Sequence, residues 1–285
     1  MKNLFAGLLF AALWASASAA TKFGIQSVHP LFLSNVRFFL AGALLLSIAY
    51  GIQKNKLPTT REWKQLAIYG LLNVAIYLGC FSWAMQYASA GIGSLSTATS
   101  PLLISILSAL WLRRSIRWQE ATGLVLGMIG VSCAVYPLLQ NSYARWEGIV
   151  ILAVSMLSYA IGTIYYSSRQ WNLSLIAING WQVLFGGLWI LPVTLLVTNW
   201  STNQYNTAFW GSIAWLAVVV SIGAVQLWLY LLRVDPIKAS LWLFLCPIFG
   251  FVYASWLLNE PITVYTFIGT GLVILGLSIA WKKKS

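Results

Sequence analysis

Charge is what this chain has least of. Of its 285 residues only 8% are Asp, Glu, Lys or Arg; the acidic residues number 5, and there is 1 histidine. A globular domain carries roughly 25% charged residues, so an ordinary soluble domain is excluded. An enzyme site needs titratable groups within reach of one another, and His29 with five scattered carboxylates offers none. No spacing of His, Cys, Asp or Glu suits a metal, and no P-loop lysine motif is present for ATP. No cofactor is expected. The 3 cysteines, Cys80, Cys133 and Cys246, lie inside apolar runs. An odd number placed there is no disulfide framework, and packing is their expected role.

What the chain has is apolar sequence: 60% of it is hydrophobic. A membrane-spanning helix needs about 20 such residues. Runs of that length cover approximately 3–23, 30–50, 64–88, 92–112, 118–138, 146–167, 174–198, 209–232, 237–258 and 262–281. Turn residues punctuate them at His29-Pro30, Lys56-Leu57-Pro58, Pro137 and Asp235-Pro236. The fold class that follows is an all-α polytopic membrane protein of ten transmembrane helices.

The net charge of +12 does not signal nucleic acid, because its placement follows the membrane. Lys2, Lys54, Lys56, Arg61, Lys64, Arg113, Arg114, Arg117, Arg169, Arg233, Lys238 and Lys282 to Lys284 all fall on one side if helices alternate. Lys22, Arg37 and Arg145 fall at or near the other. Basic residues concentrate on the cytoplasmic side, so both termini are expected in the cytoplasm, in a bacterial inner membrane.

The second half repeats the first. At a constant offset of 146, Ser94-Leu95 falls on Ser240-Leu241, Pro101 on Pro247, Leu112 on Leu258 and Ile116 on Ile262. Gly123 then falls on Gly269, Leu126 on Leu272 and Gly130 on Gly276. Five helices per repeat is an odd number, so the second copy enters the bilayer inverted. The expected repeats are 1–140 and 141–285, joined near Gln140-Asn141-Ser142. Inverted repeats are the architecture of secondary transporters, whose site lies between the halves near the midplane. Arg113-Arg114 becomes Asn259-Glu260 because those two loops face opposite sides.

Residues 1–20 also read as a signal peptide, with Lys2, an apolar Leu4–Ala15 core and Ala17-Ser18-Ala19. The repeat decides for retention: Leu13-Trp14-Ala15 and Ser18 fall opposite Ser158-Tyr159-Ala160 and Thr163. Without this helix the symmetry is lost.

Pro101 and Pro247 sit within the fourth and ninth runs. Each removes a backbone donor and crowds the carbonyl four residues back, at Thr97 and Leu243, so each is expected to kink its helix. Two readings fit, a kinked pair lining a central cavity or curvature that improves packing. Gly123, Gly127, Gly130, Gly269, Gly271 and Gly276 give the fifth and tenth runs small-residue faces for close helix approach. Those faces serve scaffold packing or a homo-oligomer.

In order and spacing these pieces resemble the EamA-type transporters of the drug/metabolite transporter superfamily, over the whole chain. The residues carrying the resemblance are Leu13-Trp14-Ala15, His29-Pro30 to Arg37-Phe38, Tyr87-Ala88-Ser89-Ala90-Gly91 leading to Pro101, Pro247, Leu258-Asn259-Glu260-Pro261-Ile262, and the glycine-rich last run. The resemblance implies ten helices, cytoplasmic termini and transport of small metabolites, often export. Arg114 departs from the acidic residue common in the family's first repeat. Gln182 stands where a second arginine would match Arg37, which makes Arg37 a local anchor rather than half of a symmetric site.

Polar side chains within a span face the bundle interior or a cavity. Faces at i, i+4 spacing are offered by Trp14 and Ser18, Asn73 and Tyr77, Ser96 and Ser100, Tyr159 and Thr163, and Gln226 and Tyr230, with Trp242 on the ninth run. Together they form the expected substrate cavity. Each alone could equally be a hydrogen bonder between helices. Among 16 tryptophans, Trp63, Trp111, Trp118, Trp146, Trp171, Trp200, Trp210, Trp256 and Trp281 fall near span ends as interfacial anchors. Trp14, Trp83, Trp228 and Trp242 lie deeper, and an aromatic cavity suits planar, amphipathic or cationic solutes. Lys22 and Arg37 are read as anchors at the head groups, with attraction of an anion at the outer mouth as the alternative. His29 is read as a solvated or structural loop residue.

Glu62, Glu120, Glu147, Asp235 and Glu260 all map to loops or span ends. Proton-driven carriers place an ionisable residue inside the membrane, so facilitated diffusion or exchange is expected. The expected protein is a secondary transporter of amino acids or similar solutes working by alternating access. A channel, a structural membrane protein and, furthest off, a membrane enzyme are the competing classes.

Overall fold

A computed structural model describes residues 2–111, 113, 115–140, 145–260 and 263–280. Among these residues the chain forms ten long helices: α1 (Lys2–Gly24), α2 (Pro30–Ile52), α3 (Thr60–Ala84), α4 (Ala90–Trp111), α5 (Trp118–Gln140), α6 (Trp146–Ser167), α7 (Leu175–Val197), α8 (Thr207–Val234), α9 (Pro236–Leu258) and α10 (Val264–Ala280). Eight are long and apolar enough to cross a membrane. At 1.5 Å per residue, 23 residues span about 35 Å, enough for a hydrocarbon core of about 30 Å. The third run begins four residues earlier than hydropathy suggests. Thr59 caps α3 in a capping box, accepting from the Glu62 N–H while its own N–H donates to the Glu62 carboxylate. That box starts the helix inside the polar Arg61–Lys64 stretch.

Helix mates of the two repeats run antiparallel. On α5 and α10, a Cβ built at Gly123 would lie 2.6 Å from the Gly276 carbonyl oxygen, and one at Gly130 would lie 2.5 Å from that of Gly269. As one index rises the other falls. The same holds for α2 against α7, where Gly42 meets Leu184 and Gly187 meets Phe38 and Phe39. It holds again for α4 against α9, where Gly250 meets Ser94 and Gly91 meets Phe251. The remaining contacts obey the same exchange: α1 packs on α8 and α9, and α6 packs on α3 and α4. The fold is therefore two inverted five-helix repeats. The glycine faces foreseen for packing are used inside the chain: Gly123, Gly130 and Gly276 join α5 to α10, Gly127 meets Phe244 of α9, and Gly271 has nothing within 4 Å. The expected junction at Gln140-Asn141-Ser142 lies partly outside the described residues.

Backbone irregularities come in pairs in the inner helices, while a further π segment, Ser47–Ile52, ends α2 without a counterpart in α7. α3 carries a π segment at Leu71–Ile76 and α8 one at Trp215–Ala224. α4 breaks after Thr97 in a turn at Ala98–Thr99, and α9 narrows to a 3-10 segment at Trp242–Leu245. Both breaks immediately precede the prolines, as the lost donors at Pro101 and Pro247 require. The break in α4 is closed by tighter turns, Ala98 N–H to Leu95 O and Thr99 N–H to Ser96 O, each 3.0 Å. Arg113 and Asn259, which follow α4 and α9, both adopt positive φ, 50° and 54°. The backbone ending is shared although one residue is cationic and the other neutral.

Large apolar side chains cover the outer surface, with Leu196, Trp118 and Trp256 among the most exposed. Trp111, Trp146, Trp200 and Trp210 are likewise exposed near helix ends, as anchors should be. Trp63 and Trp171 are not: Trp63 packs edge-on to Trp181, ring centroids 4.4 Å apart, and Trp171 stacks on Tyr166 and donates to its carbonyl. Trp281 lies outside the described residues. Asn3 and Ala280 line one shared groove, so α1 begins and α10 ends at the same face of the bundle. That face is called the terminal face below, and the other the distal face.

His29 caps α2 on the distal face, its Nδ1 accepting from the Leu31 N–H at 3.3 Å. Burial lowers its pKa. A group whose folded pKa is depressed contributes stability above its unfolded pKa and loses it as pH falls through the folded value. The cap requires the neutral ring, so the sign agrees. The unfolded reference is about 6.5. Melting temperature in detergent is expected to fall between pH 7.5 and 5.5 by more in the native protein than in His29→Asn, whose cap does not titrate. A second outcome concerns the glycine seam. Gly130→Ala is expected to destabilise by roughly 1–3 kcal/mol because the obstruction is backbone, whereas Gly271→Ala is expected to be neutral in the same melts.

Candidate functional site

The centre of the bundle is aromatic and buried. Phe10 and Trp14 from α1, Tyr77 from α3, Tyr159 from α6 and Trp228 from α8 form a closed ring of contacts. Successive centroid distances are 5.7, 6.3, 4.4, 5.5 and 5.1 Å. Both repeats contribute, and all five side chains are buried. Two polar groups of this cluster, the Tyr159 hydroxyl and the Trp228 Nε1, have no hydrogen-bond partner among the described residues, and neither has the adjacent Thr163 hydroxyl. A buried polar group left unpaired costs about 1–3 kcal/mol. Such groups mark a place where a ligand or water is received.

Beside the ring lies a cavity of about 10 Å³, room for about one water. It is lined by Trp14, Ser18, Arg37, Tyr77, Ser94 and Thr97 together with small and apolar neighbours. The helix break after Thr97 turns this stretch of α4 toward α1, where the Ser18 and Ser94 hydroxyls meet at 2.6 Å. Larger grooves lie elsewhere. One of about 430 Å³ runs between α1, α8 and α9 on the outer surface, walled mainly by Ala, Gly, Phe and Trp. Such a surface suits an acyl chain, and the convergent polar groups are in the smaller central space.

Next to this cavity a buried polar chain crosses four helices. Arg37 Nε donates to the Ser221 hydroxyl at 2.8 Å, and Asn179 Nδ2 donates to the Ser221 carbonyl at 2.8 Å. Gln182 Nε2 donates to Asn179 Oδ1 at 3.0 Å, and Asn73 Nδ2 donates to Gln182 Oε1 at 3.1 Å. Ser221 and Asn73 belong to the π segments of α8 and α3, where carbonyls are released from the regular α-helical pattern. Arg37 and Gln182 occupy matching positions of the two repeats, and each reaches across to the π segment of the opposite repeat. Arg37 is 2% exposed. Its reading as a head-group anchor is therefore corrected: α2 carries it into the bundle core, because the π segment of α8 offers it a hydroxyl there.

Among the expected site residues, Trp14, Ser18, Tyr77 and Tyr159 converge on the central ring and cavity, with Asn73 and Thr163 on the adjoining α3–α6 faces. The others go elsewhere. Ser96 donates to the Gly93 carbonyl, and Ser100 packs on Met156. Ser96 stands on another face of the same segment as Ser94 and Thr97, and Ser100 follows the break. Gln226 bonds to the Leu175 carbonyl, and Tyr230 is 38% exposed, donating to Asn3 at the terminal face. The π segment of α8 adds residues to its turn, so the inward face carries Ser221, Val225 and Trp228 instead. Trp242 packs over Gly7 and lines a groove of about 310 Å³ at the terminal face, with Asn3, Arg117, Asp235 and Lys238. Pro101 is buried; Pro247 borders a small gap among α4, α5, α9 and α10. Sequence reasoning missed Phe10, Ser94, Thr97 and Ser221. Phe10 could have been found, since it lies one turn before Trp14 on the same face.

Both ends of the central space are closed. On the distal face, Ser27 bonds to Asn206 and Gln204, and the Glu260 carboxylate accepts from the Ala90 and Gly91 N–H groups at the start of α4, at 2.8 and 3.0 Å. On the terminal face, Arg233 donates to the Leu173 carbonyl and Glu62 accepts from the Asn172 N–H.

Inverted repeats, paired broken helices and a buried polar pocket beside an aromatic ring shared by both repeats define the class: a polytopic membrane protein with the architecture of secondary transporters. The family match agrees. The profile of the EamA-like transporter family matches residues 1–136 and again 146–281, and the chain belongs to that family. It is similar, at 26% identity over the full length of both chains, to an uncharacterized transporter of Archaeoglobus fulgidus. It is likewise 26% identical to the uncharacterized inner membrane transporter YedA of Escherichia coli, over 94% of this chain and 87% of that one. A WAT1-related chloroplastic protein of Arabidopsis thaliana is 25% identical over 93% of this chain and 66% of its own. A solved crystal structure with 17% identity superposes at a TM-score of 0.77, covering 98% of this chain and 96% of the other, which supports the fold alone.

The polar chain yields a contrast. Gln182→Leu strands Asn179 Oδ1 and Asn73 Nδ2 in a dry interior, and is expected to destabilise by about 1–3 kcal/mol. Tyr230→Phe removes an exposed bond and is expected to stay within about 0.5 kcal/mol in thermal unfolding of purified protein.

Proposed function

We propose that this protein is a carrier of small organic metabolites, amino acids or solutes of similar size, working by alternating access in the direction of export. The observation that carries the reading is the buried space lined by α1, α2, α3 and the broken α4, beside an aromatic ring to which α6 and α8 of the second repeat add Tyr159 and Trp228. A channel requires a continuous path, and here hydrogen bonds close both faces. Rocking one repeat against the other would release the Glu260 latch on one side or the Arg233 tie on the other. The terminal face, rich in lysine and arginine, is assigned to the cytoplasm of a bacterial inner membrane.

Energy coupling is proposed to be facilitated diffusion or exchange. The carboxylates sit at helix ends in structural roles: Glu62 in a capping box, Glu120 paired with Arg117 at 3.1 Å, and Glu260 on the α4 N-terminus. None faces the central ring. Counterflow in proteoliposomes preloaded with a mixture of amino acids and organic acids tests the proposal. Saturable uptake of labelled solute is expected without an imposed ion gradient. Strict dependence on a pH gradient overturns the coupling, and ohmic current overturns the carrier.

A further inference from the structure

The inverted repeat supplies its own control for one residue. Gln182, the position matching Arg37, is neutral and fully served: its amide donates to Asn179 and accepts from Asn73. The fold therefore tolerates an uncharged side chain at this site. Arg37 brings a positive charge to the same depth, at 2% exposure, and one hydrogen bond from Nε to the neutral Ser221 hydroxyl. Its Nη2 has no partner, and no ion pair with a carboxylate forms among the described residues. The face of Phe38, 5.6 Å from the guanidinium carbon, is a weak substitute for an anion. Burying an ion without a counter-charge is expensive, and intramembrane charges mark ligand or ion paths.

The guanidinium borders the central cavity together with the hydroxyls of Ser18, Ser94 and Thr97. We propose that Arg37 is the counter-charge for the carboxylate of the transported solute. The inference rests on the carrier reading above and names its substrate class as organic acids, including amino acids with a free carboxylate. A planar guanidinium fork pairs with a carboxylate through two parallel bonds, and the serine and threonine hydroxyls can donate to the remaining lone pairs. One cation balances one negative charge, so a monocarboxylate fits better than a phosphate dianion. The solute's apolar part then meets Trp14 and Tyr77. The cavity of about 10 Å³ holds no such molecule as it stands; the carboxylate replaces the space only when α1 and α4 part.

The test compares acids with their neutral amides: 3-phenylpropionate with 3-phenylpropanamide, leucine with leucinamide, and pyruvate with pyruvamide. Binding is read by thermal shift of the purified full chain, and transport by counterflow in proteoliposomes. At least one acid is expected to bind about tenfold or more tightly than its amide. Arg37→Gln is expected to abolish that preference, Arg37→Lys to keep part of it, and Ser221→Ala, which retains the charge, to keep most. Monodisperse elution of each variant checks folding. Equal binding of acids and amides, no binding of any acid, or an acid preference that survives in Arg37→Gln overturns the proposal. Saturable flux of an amide that is equal in native protein and Arg37→Gln would remove the anion site yet leave the carrier standing. Absence of saturable flux for every solute would remove the carrier reading as well.

Discussion

A backbone inside hydrocarbon has no water to satisfy it, so every N–H and C=O must find a partner within the protein. The architecture follows from that constraint. Ten helices meet it along most of their length, and the irregular backbone of α3, α4, α8 and α9 lies where the opposite repeat covers it. The turn in α4 and the 3-10 stretch in α9 face each other across antiparallel mates. The π segments of α3 and α8 are met by Asn179 and Gln182 of α7 and by Arg37 of α2. The inner defects of one half are packed against the other half.

The same arrangement divides labour. α5 and α10 press together through Gly123, Gly130, Gly269 and Gly276 with carbonyl oxygens at the seam, leaving no room for a polar pocket. Away from that seam, larger side chains and broken backbone keep the helices apart. The aromatic ring of Phe10, Trp14, Tyr77, Tyr159 and Trp228 fills that region. Flat rings slide past one another with little loss of contact, which suits a space that must open. Polar ties at the rims, such as Glu260 on the α4 N-terminus, are few and individually weak enough to break in turn.

Symmetry in this chain is structural rather than chemical. Arg113 and Asn259 share a left-handed backbone while differing in charge. Arg37 and Gln182 share a position and a reach toward the opposite π segment while differing in charge as well. The first difference belongs to the side of the membrane each loop faces. The second has no such origin, since both side chains are buried, and it is where the two halves of the site become unequal.

Hydropathy, the 146-residue offset and the side preference of lysine and arginine were enough to read ten helices, inverted halves and a transporter's architecture. Those properties depend on which residues are apolar and how many lie in a row, and both are written linearly. The prolines announced the breaks, and the glycines announced the tightest seam. Which face of each helix turns inward was another matter. It could be read for α1, α3 and α6, where Trp14, Tyr77 and Tyr159 converge, and failed for α4 and α8, where Ser96, Ser100, Gln226 and Tyr230 point elsewhere. A regular helix advances 100° per residue, so a turn or a π segment upstream moves every later side chain to another face. Whether such an irregularity forms is settled by the partner that will satisfy its freed carbonyls. The groups that reach such carbonyls, Ser158 for Leu72 and Asn179 for Ser221, lie 86 and 42 residues away in the chain. Only the packed bundle brings them within reach.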